Sequence, residues 1–492
     1  MHTQHTQHSS SKRKPNIIYI LADDMGYGDV SCLNENSKLN TVHLDRLASR
    51  GIAFTDAHSS SAVCTPSRYS ILTGRYNWRS ELKDGVLGGY SRPLIEQGRM
   101  TVASMLQEAG YRTACIGKWH LGMEWSLNSD DITDVDYTKP ITNGPTAYGF
   151  DYYYGISASL DMPPYVYIEN DRVTAMPNRI TKSETELGWW REGPTGEDFI
   201  HEEVLPRCTE KVLDWIDQAK DDPFFIYFPL PAPHTPVLPT EAFQGKSQTN
   251  AYGDFVLMVD DVVGQVVHKL EECGLADNTI VVFTSDNGCS PGVGIKGLAE
   301  LGHHPSYVFR GYKADIFEGG HRIPLIMQWP EQIRGGQVCD EPVCLVDLMS
   351  TTADVLKLSL PDDAGEDSVS NLPVWLDQEL KQPLREAIVH HSINGSFSIR
   401  KGKWKLELCP DSGGWSYPMP GEAPEGLPAV QLYDLSHDIG EQHNVCEVYP
   451  EIVQELTKLL SSYVKNGRST PGAPQPNAGG MEWVHSLEWL VK

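Results

Sequence analysis

Three short segments of this sequence end in residues that could do chemistry together. Asp23 and Asp24 close the apolar run 17–22, and Asp286 and Asn287 close the run 279–284. These four side chains offer oxygen donors, the set suited to a hard divalent cation, and calcium fits it best. Lys118 and His120 follow the run 112–117. His234 lies among prolines in 231–236, where a restricted backbone favours a firmly held side chain. Cys64 precedes Arg68 by four residues, one turn along the same helix face. Taken singly, each has an ordinary reading. An Asp pair is a solvated turn, a cysteine a small buried apolar residue, a lysine a surface charge, and a histidine more often structural. Position at the ends of buried strands shifts the balance towards an assembled site.

The positioning elements can be read from hydrophobic patterning. Runs 17–22, 112–117, 223–228, 279–284 and 323–328 are apolar or β-branched, as expected of buried strands. Between them, 41–50, 101–109, 197–218 and 250–272 carry apolar residues at helical spacing, with Gly110 and Gly274 as stop signals. Strands alternating with helices predict an α/β fold built on a mostly parallel sheet, with ligands gathered beyond the carboxyl ends of its strands. After about residue 366 the pattern changes to short strands at 387–391, 397–400, 404–408 and 430–435 and a helix at 451–464. The expected organisation is a flexible tail over 1–15, a catalytic domain over 16–370, and a smaller α+β C-terminal domain with an antiparallel sheet over 371–492. The Pro/Gly-rich stretch 410–428 reads as a loop and a candidate neighbour of the active site. His2, His5 and His8 belong to the polar tail and receive no function.

Bulk properties narrow the function classes. Lys and Arg number 40 against 66 Asp and Glu, a formal charge of −26 that repels nucleic acid and anionic membranes. An anionic substrate must therefore meet a local basic pocket. No segment approaches the ~20 apolar residues of a membrane span. The ten cysteines are scattered without a C-x-x-C pair, which indicates neither zinc nor a dense disulfide framework. The first residues lack the apolar core of a signal peptide, so the expected compartment is the cytoplasm, with a periplasmic or secreted home requiring a different precursor.

The segment Cys64-Thr65-Pro66-Ser67-Arg68, continued by Leu72-Thr73-Gly74-Arg75, resembles the type I, formylglycine-dependent sulfatases. These are arylsulfatase A-like members of the alkaline phosphatase superfamily. Their motifs appear here in order as LADDMGYGD, GKWHLG, PHTP, SDNG and GYKADIFEGG. The resemblance implies an alkaline phosphatase-like fold and oxidation of Cys64 by a maturation enzyme to Cα-formylglycine. It further implies calcium held by Asp23, Asp24, Asp286 and Asn287 together with residue 64. One hydroxyl of the hydrated aldehyde would attack sulfur, and the other would later expel sulfate. Lys118 and Lys313 would hold the sulfate, Arg68 would brace the hydrate and carboxylates, His120 would assist residue 64, and His234 would protonate the leaving oxygen. Ser159 falls loosely where the arylsulfatase A group places a site-bonding serine.

The expected reaction is hydrolysis of an organic sulfate monoester, with a lean towards carbohydrate over aryl sulfates. The alternatives are a phosphate or phosphonate monoester hydrolase and a non-catalytic protein that binds sulfated glycans. His321 departs from residues often seen in relatives and would contact substrate or shape its loop. Trp189, Trp190 and Trp415 would stack on sugar rings or pack a loop. The particular ester, exo or endo action and oligomeric state are left open.

Overall fold

A computed structural model describes residues 13–422 and 424–479; His2, His5 and His8 lie outside the described residues. The strand Asn16–Ala22 is buried along its whole length and pairs in parallel with Phe224–Pro229 on one side and Thr279–Ser285 on the other. Alternation sends Ile18, Ile20 and Ala22 into one core and Ile17, Tyr19 and Leu21 into the other. An unbroken apolar run is what a strand covered on both faces requires. Truncating Ile18 to Ala would cost roughly 2–5 kcal/mol in such a setting.

The sheet has ten strands, in the order Gln337–Cys339, Ile52–Phe54, Leu325–Gln328, Thr279–Ser285, Asn16–Ala22, Phe224–Pro229, Arg112–Lys118, Tyr152–Ile156, Ile168–Glu169 and Arg172–Val173. Leu325–Gln328 is antiparallel to both of its neighbours, and the last two pairings are antiparallel as well. The remaining pairings are parallel. Helices α1 (Val42–Ser49), α4 (Val204–Ala219) and α5 (Ala251–Glu272) bury apolar residues in the first core. Helices α2 (Cys64–Thr73) and α3 (Val102–Glu108) contribute to the second. Among the described residues, no helix is long and apolar enough to cross a membrane.

Two expected elements have shifted bounds. The helix expected over 197–218 begins at Val204, because residues before it belong to an antiparallel hairpin of Pro177–Ser183 and Trp190–Gly196 and to a short 3-10 turn at His201–Glu203. The strand expected from residue 323 begins at Leu325, after Pro324, which has no N–H to give a ladder.

A separate antiparallel sheet pairs Ile388–His391, Phe397–Lys401, Trp404–Glu407 and Gln431–Asp434 in that order. The helix Pro450–Asn466 covers it with Leu456, Leu460 and Val464, and Tyr76, Trp78, Cys344 and Val346 from the larger unit enter the same core. Buried charges fasten the two units together. Arg400 donates to both carboxylate oxygens of Asp56 at 2.7 Å. Lys405 Nζ donates to Glu441 at 2.6 Å, and Glu441 accepts from the backbone N–H of Glu318 at 2.7 Å. His321 is part of this seam. It is fully buried, its ring stacks on His390 with centroids 3.7 Å apart, and its Nδ1 lies 3.0 Å from Nδ1 of His58. Of its two expected roles, shaping the loop is the one this packing supports. Ring nitrogens of His58, His321 and His390 lie within 4.8 Å of one another, and the planes of His321 and His390 are nearly parallel, 11° apart.

Candidate active site

The carboxyl ends of the central strands are stapled to each other. Asp286 N donates to Ala22 O at 3.1 Å, Asp23 N to Ala232 O at 2.9 Å, and Met25 N to Ser285 Oγ at 2.9 Å. These bonds bring Asp23, Asp24, Asp286 and Asn287 together, all at most 1 % exposed. Cys64 begins α2, and ligand atoms of Asp23, Cys64 and Asp286 lie within 4.8 Å of one another. The N-terminal end of α2, with its partial positive charge, thus starts inside the cluster.

Three cations answer the three carboxylates. Arg68 donates to Asp286 Oδ2 through Nε at 3.0 Å and Nη2 at 2.8 Å, and to the carbonyl of Lys118 at 2.7 Å. Lys118 Nζ donates to Asp23 at 2.5 Å, and Lys313 Nζ to Asp24 at 2.8 Å. Asn287 Nδ2 donates to Asp24 Oδ1 at 2.7 Å. His234 points Nε2 at Asp24 Oδ2, 3.5 Å away, and its Nδ1 donates to the carbonyl of Thr235. The peptide bonds before Pro233 and Pro236, which flank His234, are both cis.

Burial and neighbouring charge set the protonation states. Burial would raise the Asp23 carboxyl, but Lys118, His234, Arg68 and Lys313 hold it well below the ordinary carboxylate range. Asp286 goes the other way: burial and the charge of Asp23 push it up to about 7 against the pull of Arg68 and Lys118. Burial pushes the Cys64 thiol up despite Lys118 and Lys313, so it is protonated at neutral pH. Burial, Lys118 and Arg68 push His120 well below its usual range and keep its imidazole neutral. Its Nε2 donates to Leu87 O at 2.7 Å, which leaves Nδ1 as a buried atom without a partner.

Asp24, His120 and Ala314 all adopt positive φ, at 67°, 56° and 80°. Non-glycine residues pay for this conformation, and such residues cluster where function fixes the backbone.

The donor set fits a cation. Asp23 Oδ1 and Asn287 Oδ1 are buried without hydrogen-bond partners, beside further carboxylate oxygens of Asp24 and Asp286. All-oxygen donors of this charge suit a hard divalent ion.

Ser159 is less closely joined. It is 2 % exposed and its Oγ has no hydrogen-bond partner, although the adjoining loop runs past His120, whose N–H donates to Ser157 O at 3.0 Å. Sequence reasoning passed over Asp161. Its Oδ1 is buried without a hydrogen-bond partner 4.0 Å from His234 Nδ1, and its other oxygen accepts from Arg191. The signal was present in the aromatic run before it, because Tyr152–Ile156 is a further parallel strand whose carboxyl end feeds the same region.

A mostly parallel sheet with this carboxylate cluster at its strand ends, backed by a small antiparallel unit, defines an ester hydrolase of alkaline phosphatase-like fold. The sulfatase family profile matches residues 15–358, and the chain belongs to that family of sulfuric ester hydrolases, which generally depend on a metal and on formylglycine. The N-acetylgalactosamine-6-O-sulfatase of Bacteroides thetaiotaomicron is 36% identical over 92% of this chain and 93% of its own length. The human N-acetylgalactosamine-6-sulfatase is 29% identical over 95% of this chain and 89% of its own length. A solved structure from work on the metabolism of multiple glycosaminoglycans by Bacteroides thetaiotaomicron superposes with a TM-score of 0.81 at 35% identity, covering 92% of this chain and 99% of that one.

Proposed function

We propose that this sulfatase removes sulfate from a sulfated carbohydrate, with a 6-sulfated N-acetylgalactosamine as the leading candidate, using a Cα-formylglycine made from Cys64 and a calcium ion. The observation that carries the mechanism is the state of Cys64. A thiol that burial keeps protonated beside the carboxylates of Asp23 and Asp286 is a poor nucleophile. A thiosulfate-type adduct would also need a second displacement to clear. The substrate class rests on the names of the relatives.

A hydrated aldehyde at residue 64 would supply one hydroxyl to attack sulfur as the alcohol leaves, and a second whose deprotonation would expel sulfate and restore the aldehyde. A calcium ion would be held by Asp23, Asp24, Asp286, Asn287 and residue 64, where it would supply positive charge to the sulfate. The side chains do the rest. Arg68 fixes Asp286 and, through the Lys118 carbonyl, ties α2 to the strand bearing Lys118. Lys118 and Lys313 present ammonium donors for the sulfuryl oxygens; removing one preorganised donor of this kind typically costs about 10²–10³ in kcat. His120, neutral and donating through Nε2, offers the Nδ1 lone pair to a proton from residue 64. His234 has Nδ1–H committed to Thr235, so the proton the leaving oxygen takes is the one on Nε2. In this proposal Ser159, whose buried Oγ has no partner, gives a hydrogen bond to the site.

The test is the peptide mass of residue 64 after co-expression with a formylglycine-generating enzyme, followed by sulfate release from a chromogenic aryl sulfate and a panel of sulfated sugars. Formylglycine with release from N-acetylgalactosamine 6-sulfate is the expected outcome. Formylglycine with activity on aryl sulfate alone would overturn the carbohydrate assignment, and full activity with unmodified cysteine would overturn the mechanism.

A further inference from the structure

The loop after the strand Trp404–Glu407 is clamped onto the segment that carries Lys313. Asp315, fully buried, accepts from the backbone N–H groups of Trp415 at 2.7 Å, Ser416 at 2.9 Å and Tyr312 at 2.8 Å, and from the hydroxyl of Ser416. Ile316 N donates to Ser412 O at 2.7 Å. The approach is so close that a Cβ on Gly414 would lie 2.5 Å from the carbonyl oxygen of Ala314, so glycine is required there. Ala314 is itself fastened to the nucleophile's segment, its N–H donating to Ala62 O at 2.8 Å, two residues before Cys64. Trp415 is thus two residue contacts from the loop that presents residue 64.

The indole on this locked backbone is nevertheless 46 % exposed. Of the other two candidates, Trp190 packs face to face on His201 at 4.0 Å, and Trp189, 39 % exposed, has its ring covered by the Arg191 guanidinium at 4.9 Å. A large apolar ring held out in water on a rigid backbone is a binding element, because it meets a ligand without first losing conformational freedom.

We propose that Trp415 is a stacking platform for the pyranose ring of the substrate, its backbone fixed to Asp315, two residues along the chain from Lys313. This rests on the carbohydrate reading above and adds how the sugar is recognised. A sugar's C–H face carries no charge for Lys118 or Lys313, and an exposed indole offers it an apolar stacking surface.

The experiment measures kcat and KM on N-acetylgalactosamine 6-sulfate, and inhibition by inorganic sulfate, for the mature wild type, Trp415→Ala and Trp415→Phe. The expected result is a loss of about 10–100-fold in kcat/KM for Trp415→Ala, expressed mainly in KM, and less than about fivefold for Trp415→Phe, with sulfate inhibition unchanged in both. Wild-type kcat/KM in Trp415→Ala would overturn the platform while leaving the carbohydrate reading standing. Equal losses in both variants, with weakened sulfate inhibition, would overturn it in favour of a purely structural tryptophan. A mature wild type that releases no sulfate from any sulfated sugar would overturn both.

Discussion

The unequal pull on Asp23 and Asp286 makes cation binding depend on pH in a calculable way. The two carboxyls crowd one site, and the pair holds a single proton that rests on Asp286, pushed up to about 7 by burial and by Asp23. The folded, cation-free protein keeps this proton above the pH where an unfolded aspartate loses it. The associated stability is therefore present at low pH and is lost as pH rises through about 7. A cation binding there must displace the proton below that pH, at ~1.4 kcal/mol per pH unit. At pH 5.5 the penalty is ~2 kcal/mol, or ~30-fold in Kd. Calcium at 100 times its Kd adds ~2.7 kcal/mol of stability above pH 7, and the same concentration at pH 5.5 adds only ~1 kcal/mol. A chain this long gains only ~1 °C in Tm per kcal/mol, so titration calorimetry is the better assay. Run in two buffers of different ionisation enthalpy, it should show about one proton released per calcium at pH 5.5 and almost none at pH 8.5. A Kd that stays flat between those two values, without proton release, would refute this reasoning.

Four further outcomes are expected. Cys64→Ala should abolish turnover while shifting stability by less than ~1.5 kcal/mol, measured by sulfate release and chemical denaturation; substantial residual turnover would overturn the role of residue 64. Arg68→Met should destabilise the protein by ~1–3 kcal/mol, because it leaves Asp286 Oδ2 and the Lys118 carbonyl without their buried donor, and a loss below ~0.5 kcal/mol would show that neither depends on it. His234→Ala should slow sulfated sugars by about 10²–10⁴-fold and activated aryl sulfates far less, and equal slowing of both would remove its general-acid role. Chelation of the cation should raise the inhibition constant of inorganic sulfate more than tenfold; unchanged inhibition would mean that the lysines alone hold the anion.

The centre of the site was legible because its chemistry lies where buried strands stop. Residues 17–22 are apolar but for the Tyr19 hydroxyl and 280–283 are wholly apolar, so the polar side chains that follow, among them Asp23 and Asp286, emerge together at the carboxyl ends of two paired strands. Arg68, Lys313 and His234 came from motif resemblance, since no local pattern distinguishes Lys313 from a surface lysine. The misread helix start near residue 197 has a local cause: the exposed hairpin alternates too weakly to announce itself, with polar residues on both faces. The partners of Asp315 and His321 were illegible for a different reason. The Asp315 carboxylate caps a loop 100 residues downstream, and His321 stacks on a ring in the smaller unit's sheet; nothing within either segment encodes a partner so distant in sequence.

The charge balance explains why this site needs a cation as well as a modified residue. Asp23, Asp24 and Asp286 are answered by Arg68, Lys118 and Lys313, so the cluster by itself is close to neutral inside a protein of net charge −26. Such a cluster has little to attract an anionic ester, and its ammonium groups are occupied by carboxylates at 2.5 Å and 2.8 Å. A divalent ion held by the oxygen donors would take over the carboxylates, would let Lys118 and Lys313 turn to the sulfuryl oxygens, and would leave a net charge of about +2 to meet a monoanion. Positive charge of this kind stabilises a leaving alkoxide but does not activate a buried neutral thiol enough to attack sulfur and then release it. Binding and turnover therefore pose separate demands, met by the oxygen ligands and by residue 64 respectively.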